Sequence, residues 1–405
     1  MPAQVSGSLA GDGKRNEEER KVIYRDFGKT GLKVSAIGMG CEYVWTADEK
    51  QIFDLVRAAV DAGINYFDLF VGTPATREYY GKALKGIRDK AYLAGHLGCA
   101  DKEGQYVKTR DEALCRDFLQ QFYEKLDTYY IDVLFLHNCD DEADLNGILN
   151  GWMYAYAKEL KEKGRVGFIG LSSHNTKIAL EAVKSGKIEV LMFPVNPLFN
   201  LLPQDTADAR MKGREVRAMT EEEKAAYPSK QELYELCGKQ GVPIVAMKPF
   251  AAGNILKNHE EGRLKGLLSL TPVQCISYVL SFPQVACPVP GFANVEELNQ
   301  SLAYLTASEE EKDFSEIRES LVGQFTNQCM YCNHCQPCPR KIDIAEVTRL
   351  TDMAEKEMTD EIRERYAALL VTGEDCVHCG SCTRRCPFGI DASENMRMAQ
   401  RVFGC

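Results

Sequence analysis

The sequence predicts an α/β protein in two parts, a (β/α)8 TIM barrel followed by a small cysteine-rich C-terminal domain of helices and loops. Three observations lead there. The chain has 405 residues, too many for one small core. Short apolar, β-rich runs alternate with helix-period stretches through most of it. Half of its 16 cysteines crowd into two tight runs near the end.

Taken in order, residues 1–21 are a polar lead-in with no apolar h-region and so no signal peptide. YRDFGKTGLKVSAIG then reads as a hairpin that closes the floor of the barrel. Eight strand candidates follow at 36–40, 65–70, 91–96, 132–137, 167–174, 190–196, 243–249 and 286–291. Helical segments such as EKQIFDLVRAAVDAG separate them, several closed by Gly. Near-continuous apolar strands alternating with helices describe a parallel barrel. The connection 198–229 is long enough for a lid, a partner surface or a bystander insertion. ASEEEKDFSEIRESLVG is an acidic connector, which puts the barrel at 22–305 and the second domain at 306–405.

The formal net charge of -10 argues against nucleic acid. No apolar run approaches the length of a membrane span. Cysteines at ligand spacing rather than spread as a disulfide framework imply a reducing compartment, the cytoplasm.

The first cysteine run is C-M-Y-C-N-H-C-Q-P-C-P from Cys329, and the second is C-V-H-C-G-S-C-T-R-R-C-P from Cys376. The second has bacterial ferredoxin spacing, in which the cysteine before Pro serves the other cluster. Two [4Fe–4S] clusters in a ferredoxin-like domain follow. One would take Cys329, Cys332, Cys335 and Cys386, and the other Cys376, Cys379, Cys382 and Cys338. Zinc is the competing ligand. Ile-Asp follows each Cys-Pro turn at a similar distance, which suggests an internal repeat.

YRDFGKTGLKVSAIGMG, GINYFD, YIDVLFLH, IGLSSHN and VPGFANVEELNQSL resemble the aldo-keto reductases, and with the cysteine tail the resemblance is to their iron–sulfur branch. The resemblance implies carbonyl reduction by NAD(P)H, with a Tyr proton donor tuned by Asp and Lys, and an orienting His. Asp68 and His137 match the Asp and the His. Thr73 stands in place of the Tyr and His96 in place of the Lys. Thr is a poor proton donor at neutral pH, so His96 becomes the expected acid–base group beside Asp68. His137 would then hold the substrate oxygen from the other side, with Tyr43 an alternative donor. The nicotinamide pocket is altered as well. Ser172-Ser173 replaces Ser-Asn, Met192 and Met247 replace a Gln and a stacking Tyr, and Glu297 replaces the Arg that pairs with the NADP phosphate. NAD is therefore expected over NADP, with Lys248 and Gly291 as anion-holding candidates. His96, His137 and His174, together with Asp68, also allow a mononuclear metal.

These readings describe a cytoplasmic oxidoreductase of an oxygen-avoiding host. It acts on a small organic substrate and draws electrons from a nicotinamide, the clusters or both, with a redox partner protein supplying the clusters. The alternative is a non-catalytic electron-transfer or partner-binding subunit on a degenerate barrel.

Overall fold

A computed structural model of the chain describes residues 22–44, 47–70, 73–102, 105–201, 228–253, 255–256, 269–315, 329, 335, 338–385 and 390–404. Among the described residues there are twelve strands: β1 (Tyr24–Asp26), β2 (Lys33–Ser35), β3 (Met39–Gly40), β4 (Tyr66–Asp68), β5 (Tyr92–Leu97), β6 (Cys99–Lys102), β7 (Gln105–Lys108), β8 (Ile131–Leu136), β9 (Val166–Ser172), β10 (Val190–Pro194), β11 (Ile244–Met247) and β12 (Val285–Val289). Helices α1 (Glu49–Asp61), α2 (Pro74–Leu84), α3 (Glu112–Lys125), α4 (Glu142–Asn150), α5 (Trp152–Glu162), α6 (Thr176–Lys184), α7 (Pro197–Leu201), α8 (Lys230–Gln240), α9 (Pro272–Leu280) and α10 (Val295–Leu302) accompany them.

Eight strands form one parallel sheet in the order β3, β4, β5, β8, β9, β10, β11, β12. The round is completed by a parallel bridge between Gly40 and Gly291, with Gly40 N donating to Pro290 O at 2.8 Å. A Cβ at Gly40 would lie 2.8 Å from Val289 O, so this seam depends on glycine. All eight predicted strands are found, and the β1–β2 hairpin plugs the floor: Phe27 and Val34 join the apolar cluster inside the barrel. The β6–β7 hairpin after β5 was not foreseen, because CADKEGQYVK shows no alternation of apolar and polar residues.

Strand periodicity sorts the side chains. Tyr66, Ala94, Val133, Phe135, Val190, Met192 and Val245 fill the interior, while their neighbours Phe67, Leu93, Leu134, Leu191 and Ile244 face the helices. Helix α1 shows how the outer ring is built. Asp48 caps it, accepting from Gln51 N at 2.8 Å, and Ile52, Leu55, Val56 and Ala59 bury one face. Helices α2 and α3 meet at Gly81, where a Cβ would lie 2.6 Å from Lys125 O. Gly81→Ala should therefore lower stability by about 1–3 kcal/mol, read as a lower denaturation midpoint with the slope unchanged.

Beyond the barrel, α11 (Ile344–Lys356), α12 (Asp360–Ala367), α13 (Ser381–Arg385) and α14 (Ala392–Phe403) share an apolar cluster of their own around Val347, Leu350, Ile362 and Met396. Asp343 caps α11 and Asp391 caps α14 with nearly the same backbone angles, φ -76° in both and ψ 85° and 80°. Each is the Asp of an Ile-Asp step five residues after a cysteine that precedes Pro, Cys338 and Cys386. Among the described residues no helix is long and apolar enough to cross a membrane.

Candidate active site

The same alternation that places Tyr66, Ala94 and Phe135 inside the barrel carries on to the next inward positions, Asp68, His96 and His137. These three stand one layer above the apolar filling, at the C-terminal ends of β4, β5 and β8. They are in direct contact. The Asp68 carboxylate Oδ1 lies 2.8 Å from His96 Nε2, and His96 Nδ1 lies 3.0 Å from His137 Nδ1. His96 and Asp68 are 4% and 7% exposed, so the chain of bonds is shielded from solvent. Phe70 packs edge-on to His96 at 5.3 Å and against His137 at 4.8 Å.

This geometry corrects one expectation. His96 and His137 do not flank a space for the substrate oxygen from two sides. They touch, and both nitrogens of His96 are engaged by side chains. An ionised Asp68 accepts from His96 Nε2–H, which leaves one proton to be shared between the two Nδ1 atoms. Arg110 fixes the outer ring from behind. It donates to His137 O at 2.9 Å and Asn138 O at 3.2 Å while paired with Asp144. Sequence reading missed Arg110 and Phe70, whose contacts are long-range.

Burial holds His137 well below the usual imidazole range, and the charges of His96, Arg110 and His174 act in the same direction. The stability consequence has a definite sign. Below an unfolded-state value near ~6.5, the unfolded chain binds a proton that the folded chain does not. Stability should therefore fall with decreasing pH there, by at most about 1.4 kcal/mol per pH unit from this residue. Unfolding midpoints measured at a series of pH values should show the loss, and His137→Gln should flatten it.

Thr73, at the position of the expected Tyr, is the N-cap of α2. Its Oγ1 accepts from Thr76 N at 3.2 Å and lies 2.9 Å from Thr76 Oγ1. Tyr43 falls in a short 3-10 turn, Glu42–Val44, and its side chain lies outside the described residues. Glu42, beside it, is at the rim. Burial pushes its carboxyl up, Lys248 and His174 pull it back, and Asp68 adds to the rise; His174 and Lys248 follow β9 and β11 at the same end of the barrel as Asp68.

A second bonded chain lines that mouth. Lys248 Nζ lies 3.0 Å from His174 Nε2, and His174 Nδ1 lies 3.1 Å from Asp140 Oδ2. Asp140 Oδ1 also accepts from His174 N at 2.6 Å and Ser173 Oγ at 3.1 Å. Burial alone would raise the Asp140 carboxyl, yet the hydrogen bonds and charge of His174, with Ser173, pull it down to about 2. Asp140 was not foreseen. It sits in an irregular loop three residues after His137, where no periodicity marks it.

These contacts bear on the expected cofactor residues. Ser173 Oγ donates towards Asp140 and accepts from Asn175 N at 3.1 Å, so its hydroxyl is taken up within the protein. Ser172 Oγ accepts from Asn138 N at 2.8 Å. Met192 belongs to the barrel filling and Met247 packs against it. Glu297 turns back to accept from Ala293 N at 2.8 Å. Gly291 forms the seam with Gly40, and α10 opens only at its cap Asn294, so Gly291 is not at a helix N-terminus.

In the C-terminal region, Cys338, Cys376, Cys379 and Cys382 line one cavity, together with Cys335, His378 and Ser393. Ser381 and its backbone pull the Cys379 thiol below the usual range, whereas burial lifts Cys376. Among the described residues no group of three or more His, Cys, Asp or Glu is drawn together as the shell of one metal ion. A cubane differs in its demand, needing sulfurs spread over four corners around a cavity. Of the other expected set, Cys329 and Cys335 are described, while Cys332 and Cys386 lie outside the described residues. Most of the connection 198–229 does too.

The sequence profile of the Aldo/keto reductase family matches residues 36–267, more than half of the chain and ending before the first cysteine run. Probable aldo-keto reductase 1 of Glycine max is 24% identical over 334 residues, 73% of this chain and 87% of the relative. The holo form of the aldo-keto reductase AKR11C1 of Bacillus halodurans superposes with a TM-score of 0.58 at 22% identity, covering 74% of this chain and 96% of that one. Its apo form gives 0.52 at 21% identity.

Proposed function

Because the chain belongs to the aldo/keto reductase family, and is an oxidoreductase on that ground, we propose that it reduces a small carbonyl compound at the mouth of its barrel, with Asp68, His96 and His137 handling the proton and two [4Fe–4S] clusters on the eight C-terminal cysteines carrying electrons. The observation that carries this reading is the bonded chain Asp68–His96–His137 in the catalytic layer of the family's barrel.

In the loaded state His96 is the imidazolium between Asp68 and His137, and His137 carries its own proton on Nε2. As His137 Nε2 releases a proton to the substrate oxygen, its Nδ1 takes one from His96. His96 ends neutral, still donating to Asp68 through Nε2–H, and a proton from solvent then restores the imidazolium that offsets the Asp68 carboxylate. His96 thus does the work of the missing Tyr through His137. When bound, the clusters would supply two electrons, one at a time, and a second proton, taken from solvent, would complete the new C–H bond. Cys338 beside Cys376, Cys379 and Cys382 is the donor set that the crossed ligation requires.

We take any nicotinamide binding to be weak, with NAD ahead of NADP. A carboxylate at Glu297 is unfavourable beside a phosphate dianion, and the Ser173 hydroxyl is already taken up. Calorimetric titration should give NAD the lower Kd, or no heat for either. Tight NADP binding with feeble NAD binding would contradict this.

One observation favours the alternative of a non-catalytic subunit: Thr73 has become a helix cap. Oxygen-free turnover of a panel of small aldehydes and ketones, driven by a reduced viologen dye, separates the two readings. The proposal expects alcohol formation that depends on His137. No alcohol from any of them, with intact clusters, would leave the alternative.

A further inference from the structure

We propose that Lys248 is an amine nucleophile, activated by His174 and Asp140, that forms a Schiff base with the carbonyl carbon of the substrate. The inference rests on the reading that the barrel takes a carbonyl compound, and neither the family relationship nor the altered tetrad assigns it.

The geometry has three parts. A nucleophile is recognised by a base within hydrogen-bond reach that is itself oriented by a third group. Lys248 Nζ is 3.0 Å from His174 Nε2, and His174 Nδ1 is 3.1 Å from Asp140 Oδ2. Asp140 is pinned by His174 N and Ser173 Oγ, so it holds the imidazole with its proton on Nδ1 and its lone pair on Nε2, facing the amine. A Lys meant only to hold an anion would gain nothing from an acceptor at this position. The backbone adds an independent sign. Lys248 has φ 54°, in the left-handed region that a residue with a Cβ rarely adopts. Its carbonyl is clamped there by Asn196 Nδ2 at 2.8 Å and Ala251 N at 2.9 Å. Such strain gathers at reactive sites. The mouth is also shared: His174 and Lys248 follow β9 and β11 at the same end of the barrel where Asp68 ends β4 and His137 follows β8.

The step balances without an oxidant or reductant. The ammonium yields a proton to His174 Nε2 as the amine adds to the carbonyl carbon. His174 returns that proton to the carbinolamine hydroxyl, the C–O bond breaks, and water leaves as C=N forms. The iminium is reversible: water adds back and returns the carbonyl, so the imine holds the substrate at the mouth while the alcohol forms only from the free carbonyl.

Treating the whole protein with acetaldehyde or with pyruvate, plus cyanoborohydride, traps the imine as a stable amine that peptide mass mapping can place. One adduct at Lys248 should form at least about tenfold faster than at the exposed Lys50 and Lys158, and His174→Gln should slow it by about a hundredfold. Asp140→Asn should slow it as well, with folding checked by circular dichroism, and Lys248→Arg should abolish it. Labelling of Lys248 no faster than of Lys50 and Lys158 with both probes would overturn the proposal, as would an undiminished rate in folded His174→Gln. The readout is covalent labelling rather than turnover. Reduction without labelling sinks the Schiff base alone, and labelling without reduction sinks the carbonyl-reductase reading alone.

Discussion

His96→Ala should lower kcat/KM for the carbonyl substrate by about 10²- to 10⁴-fold, the range of a lost general acid–base group. In the proposed mechanism His96 acts on the substrate through His137, so its role is tested by more than rate. In the wild type, a proton on His137 is opposed by burial and by the charge of His96. Removing the His96 ring takes away that opposing charge and the proton supply together. The pH profile should then shift, with the acid limb governed by His137 alone. His137→Ala should cost as much as His96→Ala, and the double variant little more, because residues acting as one unit are not additive. His96→Lys should not restore the rate, since the Tyr that a Lys would tune is Thr73, a helix cap. Asp68→Asn should give a smaller loss, because an amide can still orient His96 without compensating its charge. A His96→Ala variant with wild-type rate and pH profile would remove the bonded chain from the reaction.

Cys338→Ser should remove one of the two clusters and spare the other. An intact, oxygen-free preparation should carry about eight iron and eight sulfide per chain, and the variant about half of that. The cluster lost should be the one held by Cys376, Cys379 and Cys382, because ferredoxin spacing gives the cysteine before Pro to the other cluster; the cavity itself is lined by Cys335 as well as Cys338. Cys382→Ser should give the same residual spectrum, and Cys335→Ser the complementary one. Equal spectra for Cys338→Ser and Cys335→Ser would make the ligation uncrossed. Zinc as the main metal would discard the clusters altogether.

Much of the barrel was legible because buried parallel strands leave short apolar runs, and a two-residue period then fixes which side chains point inward. Asp68, His96 and His137 were legible for the same reason, as polar residues closing three such runs. What that pattern could not carry was contact between side chains on different strands. His96 therefore read as one wall of a substrate pocket when it is the middle of a bonded chain. Asp140 escaped notice because a loop residue has no period, and its importance lies wholly in its partners, His174 and Ser173. Thr73 shows the reverse case. Its failure to match the Tyr was plain, but its job as the α2 cap is local chemistry that the Thr-Pro step could have suggested. Ser172 and Ser173 looked like ligand-binding hydroxyls, and only the folded loop after β8 shows that Asn138 N and Asp140 occupy them.

The central claim is that electrons held on the cysteine-rich region reduce a carbonyl in the barrel, with the proton delivered through His137. It is tested most directly by single-turnover mixing. The protein is reduced without oxygen, freed of excess reductant, and mixed with a panel of small carbonyl compounds while the visible cluster absorbance is followed. The expected result is reappearance of the oxidised spectrum with one alcohol formed per two electrons in wild type, slowed by about 10²-fold or more in His137→Ala. Clusters that stay reduced with every carbonyl offered, or that reoxidise at the same rate in His137→Ala, would contradict it.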